Sequence, residues 1–227
     1  MGKTPHMTGS GADHLDGQGL GTLLGERALV LASGSSARAA LLDGAGVVFE
    51  VDRPEVDERS WDHLLGQAGP SALALHLAGL KATAVASHHP GSVVLAADQV
   101  GVVGNGESRA LLVQRAGVEE AVAQLMSMSG TTHELVNGLV LLDTASGRRV
   151  EGVDVQVVTM ARFDEAAARR YVEEFRPFES AGSYRIEDQD RMAPGSRLLL
   201  GVQGEHESGV RGLPLPLLGR MLADLLA

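Results

Sequence analysis

Asp98 closes the apolar run Val93-Val94-Leu95-Ala96-Ala97. Its carboxylate is thus expected at the C-terminal end of a buried strand, where open α/β sheets place ligands. A carboxylate there can hold a divalent metal or take a proton from water. The plain alternative is a turn aspartate. A second candidate is Ser33-Gly34-Ser35-Ser36-Ala37-Arg38, a small-residue loop between an apolar run and a helix. The first N–H groups of such a helix, with its dipole, favour an anion. Ser33 and Ser35 add hydroxyls and Arg38 adds a charged fork. The alternative is an ordinary capped turn with a surface arginine. No Gly-Lys-Ser/Thr follows, so this is not a Walker loop. Lys81 lies in the apolar helical stretch Leu77-Ala78-Gly79-Leu80-Lys81-Ala82 and is the only lysine after Lys3. It is a candidate site cation, and the plain alternative is a snorkelling surface lysine. Asp57-Glu58 reads either as a metal-facing pair or as a solvated acidic loop. In Ser183-Tyr184-Arg185-Ile186-Glu187-Asp188, strand alternation predicts Tyr184 and Ile186 on one face and Ser183, Arg185 and Glu187 on the other.

The elements that must position these groups alternate between strand and helix. The run 28–32 predicts a strand, 37–45 a helix and 47–51 a second strand. Residues 53–58 form an acidic loop. Pro70-Ser71 opens a helix with Leu73, Leu77, Leu80 and Ala84 on one face. Residues 93–98 predict a buried strand that continues through 99–103 to the turn signal Gly104-Asn105-Gly106. A helix is expected over 118–128, and long strands over 133–142 and 148–161 around a turn at 143–147. Asp164 caps a helix running to Phe175. A late strand over 197–202 and an amphipathic helix over 214–226 complete the chain. This order predicts an α/β domain with a mixed sheet. Residues 1–27, rich in glycine, read as a flexible tail in which His6 and His14 are solvated, and residues 28–227 as one domain.

Composition narrows the classes of function. The 227 residues carry a formal net charge of −10, which argues against a broad grip on nucleic acid. A local pocket can still be positive and take a small anion. The absence of cysteine excludes disulfides, thiolate metal sites and cysteine nucleophiles. No apolar run approaches the roughly 20 residues needed to span a bilayer, and the start has no apolar signal segment. The expectation is a cytoplasmic protein without a membrane partner.

Taken in order, the motifs resemble the Maf family (septum-formation inhibitor-like proteins). The family's Leu-Ala-Ser-x-Ser-Pro-x-Arg is met by Leu31-Ala32-Ser33-Gly34-Ser35 and Arg38, with Ser36 in place of the proline. Val56-Asp57-Glu58, Lys81-Ala82, Ala97-Asp98, Ser129-Gly130 with Thr132-His133, Ala181-Gly182-Ser183-Tyr184 and Gly212-Leu213-Pro214-Leu215 match the later motifs. The resemblance covers residues 28 to 226. It implies a Maf/ITPase-like α/β fold, a mixed twisted sheet flanked by helices around a nucleotide cleft. It also implies hydrolysis of the α–β phosphoanhydride of a nucleoside triphosphate, giving a monophosphate and pyrophosphate. On this resemblance Asp98 is the proton acceptor, and Glu58 and Asp98 hold Mg²⁺ or Mn²⁺. Ser33, Ser35, Arg38 and Lys81 meet the phosphates. Homodimerisation is a further expectation from the family.

The resemblance also bears on the base. Asp98-Gln99-Val100 and Ser183-Tyr184-Arg185-Ile186-Glu187 resemble the branch acting on 7-methyl-GTP, rather than the dTTP/UTP branch with Asp-Thr. Gln99, Arg185 and Glu187 are then substrate-binding, with Glu187 accepting from guanine N1–H and N2–H₂. The chain departs from the pattern at Ala37, where that branch has tryptophan, and at Glu205, where aspartate is usual. It departs also at Gln114, which falls where the family has lysine, with Arg115 adjacent as a substitute cation. Loss of that lysine leaves a weakly active or inactive nucleotide-binding protein as the alternative.

Overall fold

The computed structural model describes residues 17–193 and 195–227. The first two helices and strands are α1 (Gly17–Leu24), β1 (Leu29–Ala32), α2 (Ser36–Gly44) and β2 (Glu50–Asp52). Next come α3 (Leu64–Ala86), β3 (Val93–Val103), β4 (Ala110–Leu112) and α4 (Val118–Met128). The second half holds β5 (Thr132–Asp143), β6 (Arg149–Met160), α5 (Glu165–Phe175), β7 (Leu199–Gln203) and α6 (Leu215–Leu226). The strands form one mixed sheet of seven, in the order β2-β1-β3-β5-β6-β7 with β4 also on β3. β1 is parallel to both β2 and β3, and the other pairs are antiparallel. No helix of the described residues is long and apolar enough to cross a membrane.

One interruption in this sheet creates the cleft. β1 pairs with β3 only as far as Ala32 beside Ala96, and β4 joins the same edge only at Gly101 beside Leu112. Between them, residues 97–100 of β3 have a strand neighbour on the β5 side alone. Asp98 and Gln99 therefore border a gap, the kind of switch point where α/β sheets bind ligands.

The core divides by sheet face. On one face α3 covers Val94, Ala96, Val100 and Val102 of β3. Gly138 of β5, opposite Asp98, admits α3 to close range: a Cβ there would lie 2.4 Å from the Ala74 carbonyl carbon. On the other face two apolar clusters stand apart. One joins α1, α2 and α6 over Val93, Leu95 and Leu139. The other joins α4 and α5 over Leu135, Val158 and Met160. The seam between them is polar. Gln99, Asn137 and Asp154 are in register across β3, β5 and β6. Gln99 Nε2 donates to Asn137 Oδ1 at 3.0 Å, and Asn137 Nδ2 donates to Asp154 Oδ2 at 3.0 Å.

Several sequence expectations need correction. Residues 17–24, placed in the tail, form α1, whose Leu20 and Leu24 are buried in the first cluster. His6 and His14 lie outside the described residues. The strand expected over 47–51 is only Glu50–Asp52, with Val48 exposed. The helix opening at Pro70 is preceded by a further turn, and Gly69 at φ 83° breaks the two apart. The strand expected at 183–188 does not form. Ser183 has φ 58°, and a 3₁₀ turn takes Glu187–Asp190. β4, only three residues long, had no recognised signal.

Candidate active site

A cavity of about 620 Å³ opens at the gap in the sheet. The β1–α2 connection forms part of its wall. Ser35 caps α2, accepting from the Arg38 N–H at 3.4 Å, and Gly34 to Arg38 line the cavity. The α2 N-terminus thus faces the opening, as the small-residue loop predicts. Ser33 is buried and does not line the cavity. Its Oγ accepts from the Ser35 N–H at 3.2 Å and from Arg38 Nη1 at 3.1 Å. Arg38 Nε donates to the Gly212 carbonyl at 2.8 Å. Burial lowers the Arg38 guanidinium from its ordinary value, while the charges of Asp98 and Glu58 pull it back up.

Asp98 and Lys81 meet on the α3 face. Even-numbered residues of β3 point to α3, and Lys81 projects from α3 seven residues beyond Ala74, on the same side of the helix. Lys81 Nζ lies 2.5 Å from Asp98 Oδ1 and 2.7 Å from Glu58 Oε1. Lys81 is 8% exposed and Asp98 6%, so the snorkelling reading is wrong and the lysine is committed to the site. Glu58, half exposed, approaches from the loop before α3. Its neighbour Asp57 turns away and accepts from Ser60 Oγ.

The remaining expected residues divide. Gln99 lines the cavity but spends its amide N–H groups on Asn137 and on the Gly209 and Val210 carbonyls, at 3.0 and 3.2 Å. Arg185 lines it too. Burial lowers its guanidinium, but bonding to Asp188 Oδ2 at 3.0 Å and nearby charge raise it on balance. Glu187 sits at the exposed mouth with no hydrogen bond or ion pair among the described residues. Gln114 lines the cavity and donates to the Glu179 carbonyl at 2.8 Å. Arg115 does not replace a missing lysine: it lines a separate hollow, with Nε 3.2 Å from Gln124 Oε1.

Three residues were missed. Tyr184, matched only as part of a motif, lines the cavity and hydrogen-bonds His133 Nε2 through its hydroxyl at 2.7 Å. Asn137 braces Gln99. Arg211, just before the Gly212-Leu213-Pro214-Leu215 motif, lines the cavity as well.

The charges balance in a telling way. Four cations, Arg38, Lys81, Arg185 and Arg211, face four carboxylates, Glu58, Asp98, Glu179 and Glu187. The cavity has no excess of positive charge, so a polyanion would need a further cation to be neutralised there. Among the described residues no group of three or more His, Asp or Glu gathers as a metal site. Glu58 and Asp98 nevertheless converge on one cation, as the ammonium of Lys81 demonstrates. Two hard oxygen ligands suit Mg²⁺ or Mn²⁺, which take their other ligands from water and phosphate.

A model of the family described as Maf-like protein matches residues 28–225, from just before β1 into α6. The chain belongs to the Maf family. Among its Maf relatives, a nucleoside triphosphate pyrophosphatase from Rhodopseudomonas palustris (strain BisB5) is 37% identical over 199 residues, spanning 86% of this chain and 93% of that protein. A 7-methyl-GTP pyrophosphatase from Alcanivorax borkumensis is 33% identical, over 86% of this chain and 92% of that protein. Another, from Pseudomonas aeruginosa, is 34% identical, over 86% and 95%. The Maf assignment accounts for the α/β architecture and for the order of the motifs along it.

Proposed function

We propose that this Maf-like chain is a nucleoside triphosphate pyrophosphatase. The observation that carries the reading is the junction of an anion-binding helix start, at Ser35 and Arg38, with a buried carboxylate, Asp98, in one cavity. The names of its relatives support the same substrate class. In the reaction, a water oxygen bonds to the α-phosphorus and the bond from that phosphorus to the α–β bridging oxygen breaks. The products are the nucleoside monophosphate and pyrophosphate. Asp98 accepts the proton from the attacking water. Arg38 and the α2 N–H groups hold phosphate oxygens in place, so the catalytic work is mainly positioning and charge stabilisation. Lys81 compensates Asp98 and Glu58 and keeps both carboxylates aimed into the cavity. Glu58 and Asp98 would hold Mg²⁺ or Mn²⁺. When bound, that ion supplies the positive charge the cavity lacks.

The base is read as 7-methylguanine. Glu187 offers a free carboxylate at the mouth, suited to the N1–H and N2–H₂ donors of a guanine and to the positive charge of a methylated ring. The test is product analysis with GTP, 7-methyl-GTP, dTTP, UTP and CTP, each with Mg²⁺ and with Mn²⁺. Monophosphate and pyrophosphate in equal amounts, led by 7-methyl-GTP, are expected. Diphosphate and orthophosphate would reject the reaction, and turnover led by a pyrimidine would reject the base.

A further inference from the structure

Of the four cations lining the cavity, three are engaged within the protein. Lys81 is held by Asp98 and Glu58, Arg185 by Asp188 and the Phe175 carbonyl, and Arg38 by the Gly212 carbonyl and Ser33. Arg211 has no hydrogen bond, ion pair or ring contact among the described residues, and it is exposed to the cavity.

Its backbone, by contrast, is fixed on both sides. The Gly209 carbonyl accepts from Gln99 and from Asn137, at 3.0 and 2.8 Å, and the Val210 carbonyl accepts from Gln99. The Gly212 carbonyl takes Arg38 Nε. A Cβ at Gly209 would lie 2.3 Å from Gln156 Nε2, so this segment sits tight on the polar seam. The result is a free guanidinium on a rigid base, next to the residue that orients Arg38. A fork of that kind suits phosphate oxygens, and its pre-organised backbone limits the ordering cost of binding.

We propose that Arg211 grips the β- and γ-phosphates of the substrate and carries the charge of the departing pyrophosphate. This rests on the pyrophosphatase reading of the same cavity. The α-phosphate must lie near Asp98, where Lys81 is already neutralised by two carboxylates. The two terminal phosphates hold most of the remaining charge, and Arg211 is the lining cation with no partner among the described residues. Arg211 thus supplies the charge that Gln114, a neutral side chain on the same cavity, does not.

The experiment compares the full chain with Arg211→Ala and Arg211→Lys, using GTP, GMP and inorganic pyrophosphate as probes with Mg²⁺ present. Arg211→Ala is expected to weaken GTP and pyrophosphate binding by roughly tenfold or more, the scale of a charge-assisted contact. GMP binding should stay within about twofold of wild type, since GMP lacks the phosphates Arg211 meets. Arg211→Lys should recover part of the loss, because charge returns without the fork. Adding Gln114→Lys to Arg211→Ala should also restore pyrophosphate binding. Unchanged pyrophosphate binding in Arg211→Ala, or an equal loss for GMP, would overturn the proposal. Calorimetric binding of pyrophosphate decides Arg211 even if the wild type turns over no triphosphate, an outcome that would remove the pyrophosphatase reading alone.

Discussion

Asp98 and Gln99 are consecutive in β3 yet serve opposite faces of the sheet. Asp98 meets Lys81 at 2.5 Å on the α3 side, and Gln99 meets Asn137 at 3.0 Å on the other. They can share one cavity because β3 has no strand neighbour on that edge at residues 97–100. The gap lets a ligand reach a carboxylate anchored to one layer and a segment, 209–212, anchored to the other.

Removing the lysine should destabilise the fold as well as the reaction. Lys81→Ala leaves Asp98 buried without its counter-charge. The expected cost is about 3–5 kcal/mol, read as a fall in the denaturation midpoint. Adding Asp98→Asn to it should recover much of the stability and none of the activity. Equal stability of Lys81→Ala and wild type would contradict the buried pair.

Gly212 has φ 87°, and a Cβ there would lie 3.4 Å from Arg38 Nε and Nη2. Gly212→Ala should cost about 1–2 kcal/mol through the backbone. It should also raise KM, because the carbonyl that aims Arg38 must shift. A stability loss with unaltered KM would mean that Arg38 does not need this acceptor.

His133 is buried, with Nδ1 unpartnered, and burial pushes its pKa down to about 4. The folded state resists the proton that the unfolded chain accepts near pH 6.5. Stability is therefore complete above 6.5, declines as pH falls from there to about 4, and levels off below. The full effect is on the order of 3 kcal/mol. Thermal melts across that window should show the decline, and His133→Gln should flatten it. A wild-type midpoint independent of pH between 6.5 and 4 would show that His133 titrates normally.

Glu187→Gln should narrow the preference for 7-methyl-GTP over UTP by about tenfold, through loss of a charged acceptor at the mouth. Competition assays with both nucleotides present measure the ratio directly. An unchanged ratio would move base recognition to Arg185 or Tyr184.

Much of this architecture was legible in the chain. The apolar run before Asp98 and the serine loop before Arg38 carry local signals, and the loop lies where expected, but Asp98 falls in the middle of β3 (Val93–Val103) rather than at a strand's C-terminal end, because the strand continues past it. The depth of Lys81 was not, because an apolar helical stretch around a lysine reads the same whether the lysine is buried or exposed. Its burial depends on Gly138, remote in sequence, which lets α3 approach the sheet. The row Gln99–Asn137–Asp154 depends on strand register, and the alternation of a single strand does not name its cross-strand partners. Residues 183–188 mimic a strand by alternation, but the Tyr171 hydroxyl, bonded to Asp188 Oδ2 and to the Arg185 N–H, folds them into a loop. Leu20 and Leu24 were masked by surrounding glycine, and packing against α6 supplies what helix propensity there lacks.

The most direct test of the central claim is the rate of pyrophosphate release by wild type and Asp98→Asn, at saturating triphosphate with Mg²⁺. The wild type should release pyrophosphate, and the variant should be slower by about 100-fold or more while still binding the nucleotide. Release undiminished in Asp98→Asn would show that this carboxylate does not take the proton, and would contradict the mechanism.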